Sequence, residues 1–426
     1  MSAARGSGIP QVMIDSADLT DACRAMFVSH RVEGFGGLFH VPAIHEYRWL
    51  FAWDSGYHAL ALQHLDRAVA LEELRTLYAA NTTDDGLLAH EQPLPGASAR
   101  VALITEWLGP IYRPDGRSWL IDPPVAAYAA ATLFRPGDGT ELLEAASRHL
   151  RAMEAVRRLP DGGGPVILHP LESGADASPL FDGLIDASSR SAFLAGHRKL
   201  SELNRGAGWS VERLLATEDA FIVSDPIVCG WRLLALEAVA DAWRRAGDPA
   251  RAAAFDANAD AAAETLIREL WHDELELFVG FDHVRGRQLP VPTIAGVIAA
   301  ASRRIIDAGL GPRIVATHLT PPVSRFWGPA GVAFNPLDGR AIGKSALLWR
   351  GDVVWGATVY WAHMALLRNQ RQELAARARG QLEQLIGRSG FREYYSADTG
   401  EGFGAGKEDG FTWPALVLEM RAECPA

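Results

Sequence analysis

Two short segments of this 426-residue chain concentrate side chains able to carry acid–base chemistry. The first, His169-Pro170-Leu171-Glu172-Ser173-Gly174-Ala175-Asp176-Ala177-Ser178-Pro179, sets two carboxylates within five residues just ahead of a helix start. The second, Phe391 to Gly404, carries Glu393, Asp398 and Glu401 among aromatics and glycines, ahead of a further helix at Phe411-Thr412-Trp413-Pro414. Cleavage of a glycosidic bond needs such a pair: one carboxyl protonated to release the leaving oxygen, one ionised to activate water. Asp176 and Glu393 could supply it, with Glu401 competing for the base because it shares the same loop. Each segment also has a plainer reading. Asp176 and Ser178 are good caps for the helix that Pro179 opens, and Phe391 to Gly404 has the composition of a surface turn. Capping and catalysis do not exclude each other.

The elements that must position these segments are helices. Asp122-Pro123, Ser178-Pro179, Asp225-Pro226 and Asp248-Pro249 each pair an N-cap residue with proline at the first helical position, where the missing N–H costs nothing. After Asp225, Ile227, Trp231, Leu234, Ala238 and Ala242 recur at steps of four and three, drawing one apolar stripe along a helix that Gly247 ends. An Ala-rich helix from Pro249 to about Trp271 follows at once, so the two make a helical hairpin. Similar pairs are expected over 54–63 with 66–80, 122–134 with 138–158 and 352–368 with 371–387, with single helices over 15–29 and 411–423 and weaker ones near 180–190 and 292–308. Strand-like runs are few, Phe278-Val279-Gly280-Phe281 being the clearest. The fold class read from this pattern is all-α, six helical hairpins closing into an (α/α)6 toroid as a single domain over 1–426. No fixed-period self-similarity supports a linear repeat array. Irregular segments 81–121, 159–178, 310–350 and 389–410 are long enough to be functional loops gathered at one face, and 180–222 reads as a lid or insert.

Composition narrows the classes of function. Hydrophobic residues make up 48% and charged ones 22%, and mean hydropathy is near zero, the profile of a globular chain with a large core. The net charge of -11, with no run of Lys or Arg, argues against nucleic acid as a partner. Cys23, Cys229 and Cys424 are few, odd in number and far apart, which fits a reducing cytoplasm better than a disulfide framework or a thiolate metal site. Met1 to Pro10 is small and polar, reading as a flexible start and not as a secretory signal, and no apolar stretch approaches membrane-spanning length. Thirteen tryptophans, several in polar Gly-containing segments, suit aromatic platforms for a ligand.

Taken together, Trp53-Asp54-Ser55-Gly56-Tyr57-His58-Ala59-Leu60, the Glu172 to Pro179 element, Trp349-Arg350-Gly351 and Phe391 to Trp413 resemble, in this order, the six-hairpin glycosidases of glycoside hydrolase family 63 and their trehalase relatives. The resemblance spans roughly residues 45 to 420, and Glu-Ser-Gly-x-Asp-x-Ser-Pro is its most specific part. It implies an inverting α-glycosidase with Asp176 as general acid and Glu393 as base, the two carboxyl groups roughly 6.5–9.5 Å apart to admit a water. It assigns Asp54 to sugar hydroxyls, with Tyr47, Trp53, Trp349, Arg350, Gly351 and Trp355 lining the sugar. This chain departs from the pattern at Leu171, where relatives often carry Trp, and at Asp352, which displaces the usual Pro and shifts the next tryptophan to Trp355. Short members of this size resemble hydrolases of mannosylglycerate or glucosylglycerate, so the expected partner is a small α-glycoside, with a trehalase-like disaccharide as the alternative. Arg190, Arg205 and Arg213 are the cations that could meet an aglycone carboxylate, though each also reads as a solvated surface residue.

Other chemistries find less support. Gly339-Arg340-Ala341-Ile342-Gly343-Lys344-Ser345 imitates a phosphate loop with its glycines one residue too close, and His45-Glu46 and His90-Glu91 lack the second histidine of a zincin. Neither Gly-x-Ser-x-Gly nor an EF-hand loop occurs, so neither cofactor nor catalytic metal is expected. A sugar epimerase on the same toroid would need two histidines at the cavity floor, to be found among His58, His90, His169 and His363. A non-catalytic sugar-binding protein is the remaining rival, and homo-oligomer formation stays open.

Overall fold

The computed structural model describes residues 16–160, 162–321, 324–338 and 347–424. Met1 to Pro10 and the phosphate-loop-like Gly339 to Ser345 lie outside the described residues. The chain is mostly helical. Four of the expected hairpins are present: Ala52–Leu62 with Arg67–Asn81, Val125–Leu133 with Glu141–Val156, Pro226–Arg245 with Pro249–Leu270, and Gly356–Arg368 with Gln372–Ser389. Asp225 caps its helix by accepting from the Ile227 and Val228 amides, Asp248 does the same from Arg251, and Gly247 turns the chain between them at φ 81°. Single helices run over Ser16–His30 and, after the 3-10 turn Trp413–Leu416, over Val417–Glu423.

Sequence sorts the helices into two layers. Val125–Leu133 reads VAAYAAATL and all but one of its residues are buried, as are all eleven of Ala52–Leu62. Helices apolar all round belong inside, whereas Gln372–Ser389 keeps a polar outer face. The inner elements touch in a closed order. Ala52–Leu62 lies against Val125–Leu133, which lies against Pro226–Arg245, then the 3-10 helix Ile294–Ala301, then Gly356–Arg368, then Trp413–Leu416, which returns to Ala52–Leu62. Small residues permit this closeness: a Cβ on Gly56 would sit 2.7 Å from the Ala126 amide nitrogen. The centre is filled by aromatics, with Trp231 packed between Tyr57, Tyr128 and Tyr360, and the Trp361 indole donating to the Tyr57 hydroxyl at 2.9 Å.

Strands are short and form five antiparallel sheets of two or three strands among the described residues. The expected run at 278–281 appears as Leu277–Phe278 and Gly280–Asp282. Trp49–Phe51, Val223–Ser224 and Val353–Trp355 run almost directly into inner helices, so loops and strands gather at the N-terminal ends of those helices. No described helix is long and apolar enough to cross a membrane.

Several local readings need correction. Asp122 does not cap the following helix, which starts at Val125; its carboxylate accepts the Trp53 amide at 2.8 Å and pairs with His90. Residues 180–190 hold only the 3-10 turn Pro179–Phe181, capped by Ser178, and the helix there is Arg190–Gly206, followed by Val211–Leu215. The segments 81–121 and 310–350, read as irregular, contain the helices Ser98–Leu108 and Leu310–His318. Ser98–Leu108 has no buried residue and packs against Arg190–Gly206, so its weak apolar periodicity reflects a helix laid over the body instead of built into it.

Candidate active site

The loop bearing Asp176 is held by the residue next to it in the motif. Glu172 is fully buried, binds the Arg157 guanidinium at 2.6 Å, and accepts the Leu168 and Ile121 amides at 2.6 and 3.0 Å. It is therefore a strut, and of the two carboxylates in this segment only Asp176 faces the cavity. Ser173 Oγ donates to the Pro170 carbonyl and accepts the Ala175 amide, closing the turn. Gly174 then takes a left-handed φ of 73°, with its missing Cβ position 2.3 Å from the Trp53 ring. No other residue fits between that backbone and that indole. Each fixed letter of Glu-Ser-Gly-x-Asp thus aims the half-buried Asp176 over Trp53.

Asp176 and Glu393 line one cavity of about 290 Å³ together with Tyr47, Trp53, Asp54, Trp349 and Trp355. Four separate stretches of chain supply these side chains. Burial pushes the Asp176 carboxyl up to about 6, against the opposing pull of its own and the Ala177 amides, of His90, and of a hydrogen bond from the Trp349 side chain. Glu393, 5% exposed, is raised by burial and by the Asp176 and Glu46 carboxylates, but accepts the Ala405 amide at 2.6 Å on Oε2 and the Tyr47 hydroxyl at 2.9 Å on Oε1. Two donors on a buried carboxylate favour its ionised form. Glu401, the rival for the same role, is exposed at the turn before Gly402–Phe403 and does not reach the cavity.

Asp54 starts the first inner helix and accepts the Trp413 indole N–H at 2.6 Å; burial and the neighbouring Asp122 push it up to about 7. Trp349 stacks on Trp355, ring centroids 4.0 Å apart, and Trp413 stands edge-on to Trp53 at 4.9 Å. Trp349 adopts φ 63° and Gly351 φ 79°, and Asn335 Nδ2 holds the Trp349 and Gly351 carbonyls at 3.0 Å each. This turn sends Trp349 inward and Arg350 outward. Arg350 and Gly351 were expected to line the sugar and do not line this cavity; the Arg350 guanidinium pairs with Asp182, and both residues border a neighbouring recess with Asp352 and Tyr394. Arg190, Arg205 and Arg213 are exposed and also outside the cavity lining.

Of the four histidines open to epimerase chemistry, only His90 lines the cavity. His58 is buried between Glu73 and Thr412, His169 between His197 and Ser201, and His363 against the Ala375 carbonyl. Among the described residues one group has metal-ligand proximity, the exposed His45, Glu408 and Asp409, and none of the three lines the cavity. Sequence reasoning named His90 only as a possible epimerase histidine, and it missed Trp413, Glu91, Trp49, Phe51 and Phe411 as cavity residues. Trp413 stands where Trp53 stands, at an inner-element start, and that position was the available signal.

Residues 47–414 match the sequence family described as mannosylglycerate hydrolase MGH1-like glycoside hydrolase domain. The chain belongs to this family. As a member it is a glycoside hydrolase, with the family 63 likeness expected from its motifs. It is 26% identical to a mannosylglycerate hydrolase of Rubrobacter radiotolerans over 413 residues, covering 88% of this chain and 91% of that one. Among solved structures it resembles the family 63 mannosylglycerate hydrolase of Thermus thermophilus in complex with glucose, with TM-score 0.75, 21% identity and coverage of 95% and 99%. The same enzyme in complex with Tris and D-glycerate gives TM-score 0.71 at 22% identity, covering 95% and 100%. These likenesses fix the helical fold of the hydrolase. The roles of its cavity residues rest on their own geometry.

Proposed function

We propose that this glycoside hydrolase cleaves a small α-glucoside or α-mannoside with inversion, Asp176 acting as general acid and Glu393 as general base. The observation that carries the reading is electrostatic and geometric at once: two carboxyls from distant segments face one small cavity, and their surroundings treat them differently. Asp176, pushed up to about 6, keeps a protonated fraction near neutral pH and hands that proton to the glycosidic oxygen. Glu393, steadied as an anion by Tyr47 and Ala405, takes a proton from the water attacking the anomeric carbon on the opposite face. Asp54 accepts from sugar hydroxyls while Trp53, Trp349 and Trp413 offer ring faces and edges to the apolar faces of the sugar.

A cavity of about 290 Å³ lies at the small end of ligand pockets, roughly 300–1,000 Å³, which suits one ring and a short aglycone. Within that class we propose a 2-O-α-glycosylglycerate, on the support of a relative named for mannosylglycerate and of a structural neighbour holding D-glycerate. The closed order of inner elements supports an (α/α)6 toroid acting as a single catalytic domain. The 180–222 segment serves as a side wall: its helix Arg190–Gly206 backs Ser98–Leu108, whose Ile104 lines the cavity. The test is to offer the purified chain glucosylglycerate, mannosylglycerate, trehalose, kojibiose and nigerose, and to follow the first-formed anomer by NMR. Turnover of a glycosylglycerate with inverted configuration is expected. A product that keeps the substrate's configuration overturns the mechanism, and preference for a disaccharide overturns the substrate.

A further inference from the structure

His90 has no part in the acid–base pair, yet the fold fixes it with unusual care. Its amide donates to the Leu120 carbonyl at 2.8 Å, and its own carbonyl accepts the Ala52 amide at 2.9 Å. Its Nδ1 lies 3.0 Å from Asp122 Oδ1, while Asp122 Oδ2 takes the Trp53 amide at 2.8 Å, so one carboxylate ties the imidazole to the start of the helix that carries Asp54. Phe51 packs edge-on against the ring at 5.6 Å. Two sides of the imidazole are thereby set, and the ring is about nine-tenths buried on the cavity wall.

The other nitrogen is the informative one. Nδ1 faces Asp122 Oδ1 as an ion pair without the alignment of a hydrogen bond, and no hydrogen bond from a described residue engages Nε2. His58 is satisfied at both nitrogens, by Glu73 at 3.1 Å and Thr412 at 2.7 Å, and His149 and His197, which have unpartnered nitrogens, sit away from the cavity that His90 lines. Burial alone would strip the His90 proton, but Asp122, Glu91 and Asp54 outweigh it and hold the imidazolium up to about 9. His90 is therefore a charged donor at neutral pH. Among the described residues it is the sole cation lining a cavity that also shows Glu46, Asp54, Glu91, Asp176 and Glu393.

We infer that His90 is a sugar-reading residue, forming with Asp54 a donor–acceptor pair that binds one hydroxyl, or two vicinal hydroxyls, of the sugar ring held against Trp53 and Trp413. A hydroxyl both donates and accepts, so a carboxylate and an imidazolium on one wall match it. The inference rests on the reading that Asp54 and the tryptophans hold the sugar, but not on the identity of the aglycone.

The test uses the full chain and free sugars, D-glucose and D-mannose, with their 2-, 3-, 4- and 6-deoxy forms, and reads Kd by calorimetry in the wild type, His90→Ala and His90→Gln. A hydrogen bond to a charged group corresponds to roughly 10–100-fold in affinity. The wild type should lose that factor for one deoxy sugar. His90→Ala should lose it for the parent sugar and nothing further for that same deoxy form, while His90→Gln, which keeps an N–H, recovers part of it. Losses that multiply at every ring position overturn the inference, as does wild-type affinity in His90→Ala or no binding of either sugar to the wild type. If His90→Ala does not fold, His90→Gln and Asp122→Asn carry the same cycle. Coupling at one hydroxyl without turnover of any glycosylglycerate would sink the substrate reading and leave His90 standing.

Discussion

Replacing Tyr47 by Phe removes one oxygen and tests the assignment of the base. The Phe ring keeps the packing of Tyr47 against Phe51 and Phe411, whose centroids lie 6.2 and 6.1 Å away, so the change isolates the hydroxyl that donates to Glu393 at 2.9 Å. Glu393 is already raised by burial, and only the Ala405 amide and the Tyr47 hydroxyl work against that shift through hydrogen bonds. A hydrogen bond to a charged group is worth about 1.5–3 kcal/mol, which at about 1.4 kcal/mol per pKa unit raises the Glu393 carboxyl by roughly one to two units. A general base works only when ionised, so the acidic limb of the kcat/KM profile should move up by that amount. The alkaline limb, set by Asp176 near 6, should stay in place. The two limbs then crowd together and peak kcat/KM falls, by at most the roughly 10–100-fold that a shift of one to two units represents. Stability follows the same sign. A carboxyl whose folded value exceeds its unfolded value loses stability as pH rises from the unfolded value through the folded one, so Tyr47→Phe should lose more than the wild type across that rise. Initial rates from pH 4 to 9 and urea melts at both ends check both statements. An acidic limb that does not move, or an alkaline limb that moves in its place, refutes Glu393 as base.

Three further outcomes follow from the same geometry. Asp176→Asn should lower kcat by roughly 10²–10⁴-fold and abolish the alkaline limb. It should also raise thermal stability at pH 7, because ionising Asp176 in its folded setting costs at most about 3 kcal/mol, the shift from 3.8 to about 6 at 1.36 kcal/mol per unit. Glu401→Gln should keep activity within about twofold, as exposed substitutions usually do, whereas Glu393→Gln should fall by orders of magnitude with circular dichroism unchanged. Gly174→Ala places a methyl 2.3 Å from Trp53 at φ 73°; the left-handed backbone alone costs about 1–2 kcal/mol. Both melting temperature and kcat/KM should drop, and a variant of wild-type activity would show that the Gly174–Trp53 contact does not set the acid.

How much of this was legible in the sequence differs between the layers of the fold. Asp225-Pro226, Asp248-Pro249 and Gly247 predicted their helix boundaries because capping and left-handed turns are local, settled by a few neighbouring residues. Asp122-Pro123 has the same letters and behaves otherwise. Its carboxylate meets His90 and the Trp53 amide, partners 32 and 69 residues away along the chain, and a charged partner outcompetes a helix amide. Ser98–Leu108 escaped notice for the opposite reason: its short stripe of Val101, Ile104 and Leu108 is only partly buried, too weak a period to stand out within a Gly- and Pro-rich segment.

The site obeys the same division. Asp176 was readable because the turn that presents it, from Glu172 to Ser178, is contiguous even though Arg157, Ile121 and Trp53 brace it from afar, and Glu393 was readable as one of two candidates in one loop. What separates Glu393 from Glu401 is a tyrosine 346 residues away and an amide 12 residues on, and no spacing rule encodes either. Arg350 shows the limit most directly. The Trp-Arg-Gly letters suggested three residues facing a sugar, but a left-handed tryptophan followed by a left-handed glycine alternates their directions, and Asp182 supplies the counter-charge on the outer side. A motif specifies the backbone turn, and the turn decides which of its side chains the substrate meets. That is why His90, outside every recognised motif but placed on the cavity wall by Asp122, is the residue from which the sugar's identity should be read.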